Sequence, residues 1–97
     1  MDVYKDIRRD EYGRVVLFRE TVNGHLIEIG EDGYSHYFAA TVNGQEYRIY
    51  SDEAHNCYRV GIPGTPWAAM RAAAGPRTMT ECAQEIYAMA FPESAEN

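Results

Sequence analysis

The stretch "DEAHNC" places Asp52, Glu53, His55 and Cys57 within six residues. A Cys–His pair supports nucleophilic chemistry when an adjacent base takes the thiol proton and a third group orients that base. Sequence spacing shows neither the adjacency nor the orientation. As metal donors, His55 and Cys57 supply two ligands where a site needs three or four, and their spacing lies outside the usual C-x₂₋₄-C and H-x₃₋₅-H patterns. Cys57 and Cys82 read better as small buried hydrophobes. No catalytic residue, cofactor or metal ligand is therefore assigned, and no enzyme is expected. An enzyme on this chain would have to use His55 and Cys57.

The remaining chemistry-bearing types are carboxylates and phenols. Glu31 and Asp32 sit in "GEDG", which lacks the lysine and the strand–helix context of a phosphate loop and reads as a turn, as does "GIPG". Carboxyls at a loop tip are solvated, whereas general-acid work needs a buried carboxyl with a raised pKa. Eight tyrosines are present. Tyrosine offers a large rigid contact surface with a polar tip and is enriched at interface hot spots. Tyr34, Tyr37 and Tyr50 together with Glu28, Glu31, Glu46, Asp52 and Glu53 thus read as a protein-binding patch, with Asp32 in the same turn.

These residues need a frame. The tetrapeptide "TVNG" occurs at residues 21–24 and again at 41–44. Asn-Gly between alternating apolar runs is a strong hairpin signal, because a type I′ turn needs positive φ at both central residues. Taking Asn43-Gly44 as a two-residue loop sets Val42 against Gln45, Ala40 against Tyr47 and Phe38 against Ile49 on one face. Tyr37, Ala39, Thr41, Glu46, Arg48 and Tyr50 take the other. The first copy sets Phe18 against Ile29, Arg19 against Glu28 and Glu20 against Ile27. Glu20 then falls on the apolar face, which a bulge or a sheet margin would relieve. A four-stranded antiparallel meander over 14–20, 25–30, 34–42 and 45–50 follows, with "GEDGY" (30–34) as the central turn.

Past residue 50 the pattern changes. Ser51 can N-cap a short helix to about Tyr58, or "CYRVGI" can form a fifth strand. Thr65-Pro66 opens a helix "WAAMRAAA" that ends at Gly75-Pro76. "TMTE" (78–81) is a capping box for a last helix over about Met79–Phe91, with apolar positions 79, 82, 83, 86 and 90 on one side. The expected fold is α+β: the meander and its two Asn-Gly hairpins, then two or three helices packed on one face.

Bulk properties suit one domain spanning residues 1–97 with a frayed tail. No apolar run reaches the ~18 residues a membrane span needs. The charged start "MDVYKDIRRDEYGR" lacks a signal-type apolar stretch, so a cytoplasmic location is expected. The net charge of −6 is uneven: residues 1–20 sum to zero, 21–56 to −5 and 57–97 to −1. Such acidity disfavours direct binding to nucleic acid or anionic membrane and favours a protein partner with a basic surface.

In size, acidity and tyrosine content the whole chain resembles phage-encoded inhibitors of host defence, such as anti-CRISPR proteins and DNA mimics. That resemblance implies a partner such as a nucleic-acid-binding subunit of a CRISPR surveillance complex. It further implies that Glu28, Glu31, Asp32, Glu46, Asp52 and Glu53 act as phosphate surrogates and Tyr34, Tyr37 and Tyr50 as anchors. The alternative is an antitoxin-like or immunity-like regulatory partner, or a small complex subunit.

Overall fold

The computed structural model describes residues 9–31, 37–70 and 75–95. Five antiparallel strands form one open sheet in sequence order: β1 (Val15–Val22), β2 (His25–Glu31), β3 (Phe38–Val42), β4 (Gln45–Asp52) and β5 (Cys57–Gly61). Helix α1 (Met79–Ala90) packs across all five, and a four-residue α2 (Pro92–Ala95) follows. The architecture is α+β, with five strands rather than four.

Both Asn-Gly turns form as the sequence predicts. Asn23 and Gly24 have φ of 48° and 83°, and Asn43 and Gly44 have 53° and 79°, so both central residues sit in the left-handed region. The turns fix the register: Phe38↔Ile49, Ala40↔Tyr47 and Val42↔Gln45 in one hairpin, Phe18↔Ile29, Arg19↔Glu28 and Glu20↔Ile27 in the other. Glu20 is half-buried on the outermost strand, and the register of β1 slips between Val16 and Phe18, placing a bulge at Leu17.

Three expectations need correcting. Gly30 does not open a turn. It lies inside β2 opposite Ala39, and a Cβ there would come within 2.9 Å of Arg14 Cβ and of Val15 O, so glycine is what lets Arg14 cross the sheet. The strand alternative holds for 57–61: β4 continues to Asp52, and Asn56, at φ 52°, closes a four-residue loop that pairs Asp52 with Cys57 and Tyr50 with Arg59. The helix from Pro66 shrinks to a 3₁₀ turn at Trp67–Ala69, because Met70 turns extended and buries itself against Gly61. The rest of that helix, residues 71–74, lies outside the described residues, as do Asp32 and Tyr34. Among the described residues, only α1 is a helix of more than four residues.

Alternation explains the core. Ile27, Ile29, Ala40, Tyr47, Ile49 and Val60 point to one side and meet Cys82, Ala83, Ile86 and Tyr87 of α1. The helix starts where the sequence puts it: Thr78 Oγ1 accepts from the Glu81 N–H at 3.1 Å. It stops as Phe91 leaves helical geometry ahead of Pro92. Ile27, Ile29, Ile49 and Ile86 are sealed from solvent, each contributing about 2 kcal/mol of transfer free energy. The opposite sheet face carries Glu28, Ala39, Thr41, Glu46, Arg48, Tyr50, Asp52 and Arg59, and no described helix covers it beyond the 3₁₀ turn.

Candidate functional site: the outer face of the sheet

The outer face is built on β4. Its even-numbered residues, Glu46, Arg48, Tyr50 and Asp52, point away from α1 because the odd-numbered Tyr47 and Ile49 are claimed by the core. Each acquires a partner from a neighbouring element.

Aromatic rings form a row. Tyr37 and Tyr50 lie 5.5 Å apart between ring centres, and Tyr50 meets Trp67 edge-on at 6.2 Å. A guanidinium closes each end, Arg48 over Tyr37 at 4.4 Å and Arg59 over Trp67 at 4.2 Å. Hydrogen bonding to Tyr50 and Glu46 raises the Arg48 pKa further above its ordinary value.

The carboxylates are each engaged by arginine. Glu46 binds Arg14 through one oxygen and Arg48 Nε through the other, at 2.9 Å. Arg14 also reaches Thr41 Oγ1 at 3.0 Å and Asp10 at 3.8 Å. Glu28 faces Arg19 at 3.4 Å. Asp52 is buried, and one oxygen lies 2.7 Å from Arg59 Nε and 2.9 Å from His55 Nδ1. Burial pushes the Asp52 carboxyl up, but hydrogen bonds from Arg59 and His55 outweigh it and hold the group below its usual range. Arg59 is buried too; its Nη1 donates to the carbonyls of Trp67 and Met70 at 2.8 and 3.3 Å, tying the 3₁₀ turn to the sheet.

Of the residues predicted to share a patch, Glu28, Tyr37, Glu46, Tyr50 and Asp52 do lie on this face. Glu31 pairs with Phe38 and so belongs to the opposite, core side at the end of β2, and Glu53 is exposed in the β4–β5 loop. The Arg19–Glu28 pair follows from the hairpin register, but the arginine partners of Glu46 and Asp52 do not. Nor does the part of Arg14, Arg59 and Trp67. The signal for Arg59 was available: a strand at "CYRVG" behind a four-residue loop forces it opposite Tyr50.

His55 gives its ring nitrogen to Asp52, and Cys57 sits buried across from Asp52 on β5. Cys57, Asp52, Ser51, Asn56, Tyr58 and Arg77 line a shallow cleft of about 160 Å³ along with Glu53. Among the described residues no three His, Cys, Asp or Glu side chains converge to hold a metal. Burial pushes the Cys82 thiol up to about 12, with Glu85 and Glu81 adding to the effect, so it stays protonated and unreactive at neutral pH.

No protein-family model, curated protein or solved structure matches the chain.

Charge is segregated. On and beside the outer face, Asp10, Glu28, Glu46 and Asp52 are balanced by Arg14, Arg19, Arg48 and Arg59. The other described acids, Glu11, Glu20, Glu31, Glu53, Glu81, Glu85 and Glu93, outnumber the other described arginines, Arg9 and Arg77. They occupy the loops, the strand ends and the helices. No helix among the described residues is long and apolar enough to cross a membrane.

Proposed function

We propose that the chain is a small acidic interaction protein that engages and blocks a basic, nucleic-acid-binding surface of another macromolecule, such as a subunit of a CRISPR surveillance complex. The segregation of charge carries this reading. Among the described residues, seven carboxylates against two arginines, spread over loops, strand ends and helices, create a negative field around the rim and helical side of the molecule. Such a field steers association with a basic surface.

The pairing on the outer face refines how the block works. A carboxylate whose oxygens already hold a guanidinium presents little phosphate-like charge. Glu28, Glu46 and Asp52 are therefore poor phosphate surrogates, and the acids off this face, Glu31 and the exposed Glu53 among them, supply the field that reaches a partner. Charge at the rim with steric occlusion by the body suits the arrangement more than mimicry of a nucleic-acid backbone along the sheet.

The test is competition. Purified CRISPR surveillance complexes are incubated with the chain, and loading of target DNA is measured. The reading predicts inhibition that weakens at least tenfold for the Glu31→Lys, Glu53→Lys double variant, with unchanged thermal unfolding. Normal DNA loading at saturating chain would refute it.

A further inference from the structure

The outer face is neutral on a molecule of charge −6, and that contrast suggests what covers it. Two identical acidic molecules repel wherever their rims approach. On the outer face the four carboxylates and four arginines cancel, so among the described surfaces this is where two copies meet at least electrostatic cost. Aromatic side chains and arginine, both enriched at protein interfaces, are concentrated on this face. Leu26 and Trp67 stand exposed on it, 48% and 46% accessible, on β2 and beside β5.

We propose that this face is the contact between two copies of the chain, related by a two-fold axis through the sheet. Under that symmetry the row of Tyr37, Tyr50 and Trp67 meets its own image, and each Arg–Glu pair lies near an Arg–Glu pair of opposite sense. Five strands about 4.8 Å apart and five to eight residues long give a footprint of about 24 by 20 Å. Ala39, Asp52 and Arg59 within it are already buried, so two copies bury at most about 1,000 Å², the lower bound for a specific interface, and a weak, concentration-dependent dimer is expected. The pairing leaves the acidic rims outward and would present two of them to a target. It does not depend on the proposed target being correct.

Sedimentation equilibrium on the pure full-length chain from about 1 to 500 µM tests this without any partner. The weight-average mass should rise from the 11.0 kDa chain mass toward twice that value. Raising NaCl from 20 to 500 mM should strengthen dimerisation several-fold, because it screens the repulsion of like-charged rims. Binding to a basic target would weaken with the same change, so the two readings fail separately. Leu26→Glu and Trp67→Ala should each weaken the dimer at least tenfold, while Glu81→Arg, on the helical side, should not weaken it. Melting curves confirm that each variant is folded, and Leu26, whose exposed side chain belongs to none of the ion pairs or ring contacts described on the face, keeps the test open if Trp67→Ala unfolds. A monomer throughout the range would overturn the proposal and leave the face to a foreign partner. A dimer indifferent to both Leu26→Glu and Trp67→Ala would overturn it in favour of another contact.

Discussion

Replacing Arg59 with leucine removes one side chain that holds three elements together. It loses the 2.7 Å bond from Nε to Asp52 and the bonds from Nη1 to the Trp67 and Met70 carbonyls at 2.8 and 3.3 Å. Hydrogen bonds to a charged group contribute about 1.5–3 kcal/mol each when buried. The Trp67 carbonyl lies beside an exposed residue and regains water, and the leucine recovers some packing, so the net loss is about 3 kcal/mol. A chain of 97 residues has about 5–15 kcal/mol in total. At roughly 4–8 °C per kcal/mol, Tm should fall by about 12–24 °C. Trp67 is the single tryptophan, and its ring lies under the Arg59 guanidinium, so its emission reports the site directly. Urea unfolding followed by fluorescence should show the lower midpoint and, before unfolding, a red-shifted indole. Arg59→Lys should fall between, since lysine keeps the charge but not the fork. A loss under 1 kcal/mol with unchanged emission would refute the view that Arg59 ties the 3₁₀ turn to β4 and β5.

Further outcomes follow from individual residues. Gly44→Val, at φ 79°, forces a β-branched residue into the left-handed region and should cost about 2 kcal/mol or more by urea unfolding. Gly30→Ala should cost about 1–3 kcal/mol, because its methyl meets the Val15 carbonyl at 2.9 Å and backbone yields poorly. Because the folded Asp52 carboxyl is held below its ordinary 3.8, its contribution is present above that pH and is lost as acid protonates it. Stability should therefore fall below about pH 4, and Asp52→Asn should flatten that part of a pH–Tm profile. Cys82 should resist an aromatic disulfide reagent in the native state at pH 8 and react only on unfolding, a result readable by absorbance.

What could be read from the sequence was what local chemistry decides. The Asn-Gly pairs set turn type, loop length and therefore register, which put Tyr37 beside Tyr50 and Arg19 beside Glu28 from arithmetic alone. The capping motif at Thr78 placed α1 to within a residue. What could not be read depended on contacts across long separations. Residues 66–70 have good helix formers, yet Met70 is drawn into the space over Gly61 and two local carbonyls are taken by Arg59, a competition invisible to propensity. The Asp52–Cys57 stretch has helix-like caps because a tight loop uses the same bonds: Asp52 accepts the His55 N–H just as an N-cap would. The carboxylates of the candidate patch were legible as positions but not as charges, since Arg14 and Arg59 reach them from strands or loops up to 32 residues away.

The claim that rests on all of this is that negative charge works from the rim and helical side while the sheet's outer carboxylates stay bound to arginine. Affinity for a purified surveillance complex, measured at 50 and 500 mM NaCl, tests it most directly when Glu31→Lys, Glu53→Lys is set beside Glu46→Gln. The account predicts at least a tenfold loss with salt and with the rim variant, and little change for Glu46→Gln at equal foldedness. Affinity that ignores salt and the rim but collapses with Glu46→Gln would contradict it.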